Sequence, residues 1–294
     1  MAQHTFDNML AVAASHDKAR LLSCTGEHSG EWLTTPPSCE QLKLRNPVMQ
    51  CLLRRRLGLP IFPEPFPCEA ERCTHQIDCH GHHATACTRT GRIHGRHAAA
   101  TGPWRQILNE AGYRTHVERL ISNTHLATRA NDQRRMDIVA APGSRGAGAR
   151  RGVALFCDVT VVCPLSGLGQ ARPGTTREAG HVLANTAAKK HRRYADVAAM
   201  GGLVVLGCEV YGRWCAETIS LVKELAKLKG REAPDFLRQS VTAALTRRWW
   251  GLASVGVQRA IGEALLCGKG ADLLATTALS EGPGAVELLE LHGN

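Results

Sequence analysis

Two kinds of apolar pattern alternate along the chain. Residues 152–163 form an almost unbroken apolar run rich in valine, stopped by Pro164, which predicts a strand. Gly202 to Tyr211 predicts a second, buried strand, and Tyr113–Ile121 and Arg134–Ala140 predict two more. The Gly/Ala/Arg linker from Ala141 to Gly152 would join the 134–140 strand to its successor as a hairpin with a loose tip. Apolar positions at Trp104, Ile107, Leu108 and Ala111 predict a short helix over 98–112, closing at Gly112. Thr176–Met200 and Cys215–Lys229 predict helices, and further helices are expected from about Asp235 through Cys267. Residues 1–60 read as helical with a break at 34–38, and their second half carries Leu42, Leu44, Met49, Leu52, Leu53 and Leu57. Pro60, Pro63, Pro65 and Pro67 form a stiff connector.

From Trp104 onward the order is helix, three strands, helix, strand, helix. The expected class is therefore α/β, with a central mixed sheet flanked by helices. A buried strand such as 202–211 needs cover on both faces, and the segments around it supply helices. Four segments follow: a helical N-terminal part (1–60), a Cys/His-rich part (61–97), the α/β core (98–230) and a C-terminal helical extension (231–294) whose tail from Gly268 is rich in Gly and Ala.

The 294 residues are 44% hydrophobic and 21% charged, an ordinary globular balance that argues against wholesale disorder. No apolar run approaches the ~18–20 residues that cross a bilayer. Ser15, His16, Asp17 and Lys18 interrupt the only leader-like stretch, so an intracellular protein without membrane segments is expected. The net charge is +10, unevenly placed. Between Arg89 and Arg151 lie twelve Arg, no Lys and four acids (Glu110, Glu118, Asp132 and Asp137). A surplus of that size attracts a polyanion, and Arg89, Arg92, Arg96, Arg134 and Arg135 are the candidate nucleic-acid contacts.

Of the twelve cysteines, Cys157, Cys163, Cys208 and Cys215 sit in apolar segments, where Cys acts as a small hydrophobe. Cys68, Cys73, Cys79 and Cys87 instead share a short segment with His75, His80, His82 and His83. That density of soft donors reads as a metal site before it reads as disulfides. Cys68, Cys73, His83 and Cys87 make a tetrahedral Zn²⁺ set: each pair spans a loop small enough to reach one ion, and nine residues separate the pairs. Cys79, His75, His80 and His82 compete for the same role.

Asp137 and Asp158 each stand in a strand of otherwise apolar residues, where an acid is costly unless it is paired or holds a cation. If the two strands form a hairpin, the carboxylates can converge at a sheet edge and hold Mg²⁺, which takes one or two carboxylates and fills its shell with water and phosphate oxygens. A lysine two residues after Asp158 would share its face, but that position is Thr160. The positive charge must then come from Lys189 or Lys190 on the next helix, with Glu209 and Glu118 as further acids.

At these residues the chain resembles the C-terminal region of non-LTR retrotransposon polyproteins. The resemblance is carried by the Cys/His cluster with 81–84 and Cys87, by 96–97, 134–137, 158–161, 164–165, 190–194 and 209–212, and upstream by 30–33 and 53–60. In that family a CCHC zinc knuckle precedes a restriction-like endonuclease of the PD-(D/E)XK superfamily, downstream of a reverse transcriptase; no polymerase segment occurs within these 294 residues. The resemblance implies a restriction-endonuclease-like core over 98–230 and Mg²⁺-dependent nicking of DNA. Asp137 and Asp158 would be the metal-binding acids, Lys190 or Lys189 the displaced lysine, and Tyr194 a support for the same helix face. Partners would be DNA, retroelement RNA or a reverse transcriptase, and the location nuclear. The alternative is a zinc-containing nucleic-acid-binding module of a retroelement remnant whose catalytic site has decayed.

Overall fold

The computed structural model describes residues 2–124, 126, 132–143, 153–200, 202–268 and 270. The N-terminal part is helical as its spacing predicts: α1 (Ala2–Val12), α2 (Ser15–Ser23), α3 (Glu31–Thr34), a 3-10 turn at Glu40–Leu42 and α4 (Asn46–Leu57). Pro47 sits in the first turn of α4, and Gly58 ends that helix at φ 76°, a left-handed conformation that side chains with a Cβ resist. The proline connector leads into a small antiparallel pair, β1 (Phe66–Pro67) and β2 (Gln76–Ile77), followed by α5 (His82–Ala86).

Helix α6 (Arg92–Glu110) starts six residues before the predicted 98–112 segment and runs through Pro103 without a break. That ring is accommodated against a glycine, since a Cβ on Gly256 would lie 2.1 Å from Pro103 Cγ. The strands fall where the apolar runs place them: β3 (Tyr113–Leu120), β4 (Arg135–Pro142), β5 (Leu155–Val162) and, after α7 (His181–Arg193) and α8 (Ala195–Ala199), β6 (Leu203–Glu209). The single helix expected over 176–200 is broken at Tyr194, whose buried phenol donates to the Arg135 carbonyl at 3.1 Å. α9 (Ala216–Gly230) follows, and the further helices expected beyond Asp235 resolve into a 3-10 turn and one 28-residue helix, α10 (Arg238–Leu265). Most of the expected 141–152 tip and the tail beyond 270 lie outside the described residues.

The sheet has the order β3-β4-β5-β6, antiparallel between the first three strands and parallel between β5 and β6. It is thus mixed, as expected, with α7 and α8 forming the crossover that a parallel pair requires. Alternation along the strands feeds two cores. Ile138, Ala140, Cys157, Val159, Val204 and Leu206 join the larger one, whereas Val139, Phe156 and Leu203 join a smaller one with Tyr194 and Val197. β4 breaks its own alternation at Asp137, since Met136 joins the smaller core and Ile138 the larger.

α10 organises the larger core. From Trp249 to Val257 every residue is buried, and α3, α4, α5, α6 and α9 all pack against this helix. A helix apolar all round must be sheathed all round. The five tryptophans of this aromatic-poor chain are all buried. Trp214 packs edge-on to Trp104 at 5.6 Å and tilted against Trp250 at 5.3 Å. One core therefore draws residues from all four predicted segments, from Ala19 to Leu266 and including Cys68 and Cys87, so the boundaries at 60, 97 and 230 are not boundaries in the packing.

Glu110, at the end of α6, ties that helix to α10. Its carboxylate accepts Arg248 Nη2 at 2.8 Å, Arg248 Nε at 3.0 Å, Trp249 Nε1 at 2.8 Å and Gln106 Nε2 at 3.0 Å. Burial opposes ionisation there, but these donors outweigh it and hold its pKa below the ordinary carboxylate value. A pKa depressed by folding stabilises above the unfolded value of about 4.3 and ceases to do so as pH falls through the folded value. Glu110→Gln is therefore expected to lower stability by about 1 kcal/mol at pH 7, on the scale of charge-assisted hydrogen bonds discounted for partial exposure. In urea melts compared across pH, the gap between the two proteins should close below pH ~4.

Candidate functional site

Two clusters of chemically capable side chains lie in this framework. The first is the Cys/His cluster, built on the β1–β2 pair and α5. Cys68 N–H donates to the His75 carbonyl at 3.0 Å and Cys73 N–H to the Ala70 carbonyl at 3.0 Å, closing a tight loop in which Arg72 takes a φ of 60°. The α5 turn presents His83 and Cys87 across from it, with Cys87 N–H bonded to the His83 carbonyl at 2.8 Å. The donor atoms of Cys68, Cys73, His83 and Cys87 all lie within 4.8 Å of one another. Cys68 Sγ is 3.8 Å from Cys87 Sγ, Cys87 Sγ is 3.9 Å from Cys73 Sγ, and Cys73 Sγ is 3.3 Å from His83 Nε2. Zinc–sulfur bonds of ~2.3 Å at tetrahedral angles put sulfurs about 3.8 Å apart, so the set fits a zinc ion.

The structure also selects among the competing donors. His82 is bonded through Nδ1 to Asp78 at 3.2 Å, Cys79 Sγ faces the Pro63 carbonyl at 4.0 Å, and His75 stacks on His83 at 5.0 Å. Burial pushes the Cys68 thiol up to about 11. At Cys87 burial acts the same way but is outweighed by the Arg89 N–H and the neighbouring thiols, so its pKa falls. Burial, with the charge of His75, lowers the pKa of His83 and keeps the imidazole neutral, the form that ligates. The cluster is seated on α10, since a Cβ on Gly81 would lie 2.7 Å from Leu265 Cδ2.

The second cluster lies where β3, β4 and β5 separate. The β4–β5 ladder runs from Ala140↔Leu155 to Ile138↔Cys157 and stops one residue short of Asp137 and Asp158. There the Asp137 carboxylate replaces a backbone acceptor, taking the Val159 N–H on Oδ2 at 2.6 Å. His97 of α6 reaches the same place, its Nε2 lying 3.1 Å from Asp137 Oδ2 and 3.1 Å from the Val159 carbonyl. Hydrogen bonding to Asp137, against the opposing effect of burial, raises the His97 pKa. On β3, Glu118 adopts φ 50° and interrupts the pairing between Val117↔Ile138 and Arg119↔Met136. That conformation is strained for a residue with a side chain. One donor atom each from His97, Glu118 and Asp137 lies within 4.8 Å of the others.

Asp158 is served by α7. Lys190 of α7 donates to its Oδ2 at 2.9 Å, while Oδ1 is buried without a partner among the described residues. Burial raises the Asp158 pKa, helped by the Asp137 charge and opposed by Lys190 and His97. The lysine that Thr160 could not supply thus arrives from α7.

Several expectations need correction. The two aspartates lie on the inner strands β4 and β5 rather than at a sheet edge, and the donor cluster around Asp137 is completed by His97 and Glu118, not by Asp158. Glu209 is not part of this site: Asp158 pairs with Val205 and Val162 with Glu209, which sets Glu209 roughly 13 Å further along β6 at ~3.3 Å per residue. It is buried instead beside Ser23 and Arg213, and burial raises its pKa. Lys189 is exposed, and it is Lys190 that reaches Asp158. Of the five candidate arginines, Arg89 and Arg135 are exposed. Arg96 is buried and donates to the Thr85 carbonyl at 2.9 Å, Arg92 pairs with Glu69 at 2.8 Å, and Arg134 clamps Asp132 and Asp196 at 2.6 and 2.5 Å. A guanidinium taken out of water needs acceptors, and these three have found them within the fold.

His97 was visible in the sequence only as a neighbour of Arg96. The missing signal was helical phase, because α6 begins six residues earlier than its apolar pattern suggests. A groove of 620 Å³ runs along β3 between His116, Glu118, Arg119 and Arg135, beside the second cluster. Arg192 and Arg193, also exposed, add positive charge at the end of α7. No helix among the described residues is long and apolar enough to cross a membrane. No family model, curated protein or solved structure matches this chain.

The first cluster makes a direct prediction. Purified protein should contain one zinc per chain, and Cys87→Ser or His83→Ala should lose it and lower the thermal midpoint, because metal binding is folding free energy for so small a loop. Metal analysis with a melting curve checks both, and a zinc-free protein with an unchanged midpoint would contradict the assignment.

Proposed function

We propose that the protein is a nucleic-acid-binding, divalent-metal-dependent endonuclease whose knuckle holds Zn²⁺ and whose sheet carboxylates cleave phosphodiester bonds. The supporting observation is the arrangement around Asp158. A buried carboxylate is held on one oxygen by Lys190 at 2.9 Å and left unpartnered on the other, next to a His97–Glu118–Asp137 donor set. An orphaned buried carboxylate oxygen fits a site meant to receive a further charged group. The carboxylates of Asp137 and Glu118 suit a hard cation such as Mg²⁺. Bound there, such an ion supplies Lewis acidity and an activated water. The chain's own part is to present the Lys190 ammonium where negative charge builds on a scissile phosphate, and to hold a strand in the β3 groove with Arg119 and Arg135. This reading agrees with the resemblance to the restriction-like endonucleases of non-LTR retrotransposons, in which DNA is the substrate.

One observation favours the second reading, a zinc-containing binding module without catalysis. Asp137 already accepts the Val159 N–H and His97, which leaves it less free for a metal. The two readings separate in a plasmid-nicking assay with Mg²⁺. The nuclease reading expects Asp158→Ala and Lys190→Met to lower the nicking rate roughly 100-fold or more while salt-sensitive DNA binding is kept. Nicking that survives in Asp158→Ala would remove this site from the chemistry, and no nicking in the wild type with DNA binding intact would establish the module.

A further inference from the structure

A third polar feature belongs to neither cluster. Arg55, in the last turn of α4, is 4% exposed, yet its Nε and Nη2 have no hydrogen-bond partner among the described residues. Its remaining nitrogen, Nη1, makes only a long 3.5 Å contact with the His80 carbonyl, and its Cζ lies 5.1 Å over the Tyr211 ring. An uncompensated buried guanidinium costs several kcal/mol, and arginine cannot escape the cost by losing its proton. Folds tolerate such a group where something else supplies the counter-charge.

The space beside it has the corresponding shape. Arg55 lines a pocket of 90 Å³ with Arg20, His80, His82 and Tyr211. A water occupies ~30 Å³ in the liquid, so the pocket admits a few waters or one small polyatomic ion. Its nearest acids are already engaged. Asp17 is bonded to Arg20 at 2.7 Å and lies 3.4 Å from His16, and Asp78 accepts His82 Nδ1 and the His80 N–H. Arg20 is itself fixed, donating to the Arg56 carbonyl at 2.5 Å and lying flat over Gly58, where a Cβ would sit 2.8 Å from its Cζ. The left-handed glycine that ends α4 is thus also what lets the second guanidinium approach.

We propose that this pocket binds a single phosphate group, with Arg55 as the buried anchor and Arg20, His80 and His82 around it. A phosphate carries close to two negative charges near neutral pH and three strong acceptor oxygens, which answers the idle Nε and Nη2 in the bidentate geometry that guanidinium favours. A carboxylate offers half the charge and one acceptor fewer. The group can be free phosphate or the terminal phosphate of a polynucleotide, since a backbone phosphodiester carries a single charge; the site is independent of the sheet carboxylates and stands or falls without them.

The test is calorimetric titration of inorganic phosphate into the full-length chain, with chloride at equal ionic strength as control. Saturable binding of one phosphate per chain is expected, weakened about tenfold or more in Arg55→Met, an apolar side chain of similar length. Arg20→Met, on a half-buried position outside the α4 core, is expected to weaken binding severalfold, so the result does not depend on one variant folding. No binding beyond the chloride control, or equal binding by both variants, overturns the proposal. Competition then identifies the source. Displacement of phosphate by a 5′-phosphorylated oligonucleotide but not its 5′-hydroxyl form assigns a strand end, displacement by neither assigns free phosphate, and displacement by both, which only singly charged backbone phosphates could achieve, overturns the preference for a doubly charged group.

Discussion

The architecture depends on the burial of α10. Its central turns carry Trp249, Trp250, Leu252, Val255, Val257 and Ile261 around the whole circumference, and no orientation of such a helix leaves a face suited to water. The chain meets this constraint by wrapping elements distant in sequence around one rod: α3 and α4 from the N-terminal part, α5 beneath the cysteine cluster, and α6 and α9 from the sheet. Small residues fit the rod to its neighbours, with Gly256 against Pro103 and Gly262 against Val48. The sheet and the Cys/His cluster are thereby fixed in one frame, although neither touches the other's chemistry.

Within that frame, unsatisfied polar groups mark the places where packing has given way to something else. Asp158 keeps a buried oxygen without a partner beside Lys190, Arg55 keeps two idle donors beside a cavity, and Glu209 holds a buried oxygen beneath α2. The first stands beside a lysine and the second beside open space. Glu209 has only Arg213 and Ser23 nearby, burial outweighs both, and its raised pKa describes an acid favoured in the neutral form. Equal burial thus has different meanings according to what stands opposite.

Positive charge is divided in the same way. The arginine-rich stretch reads in sequence as a uniform polyanion-binding surface, but Arg92, Arg96 and Arg134 are spent on internal acceptors. Arg89, Arg105, Arg114 and Arg135 of that stretch stay exposed, and Lys189, Arg192 and Arg193 add charge from α7. A guanidinium's long apolar stem lets it be drawn under a surface and used there, so counting arginines overstates the charge a partner meets.

The sequence by itself determined the strands, the mixed α/β class and the Cys/His donor cluster. Valine-rich runs at 155–162 and 203–209 have no alternative to a covered sheet, and Cys68, Cys73, His83 and Cys87 are close enough along the chain for local loops to gather them. Only the tertiary structure decided which donor completes each site. His97 meets Asp137, Lys190 meets Asp158 and Arg55 meets His80 through contacts between residues 25 or more apart in the chain, set by the phase and tilt of the helices. Those angles come from packing between elements distant along the chain, which no local pattern of residues encodes.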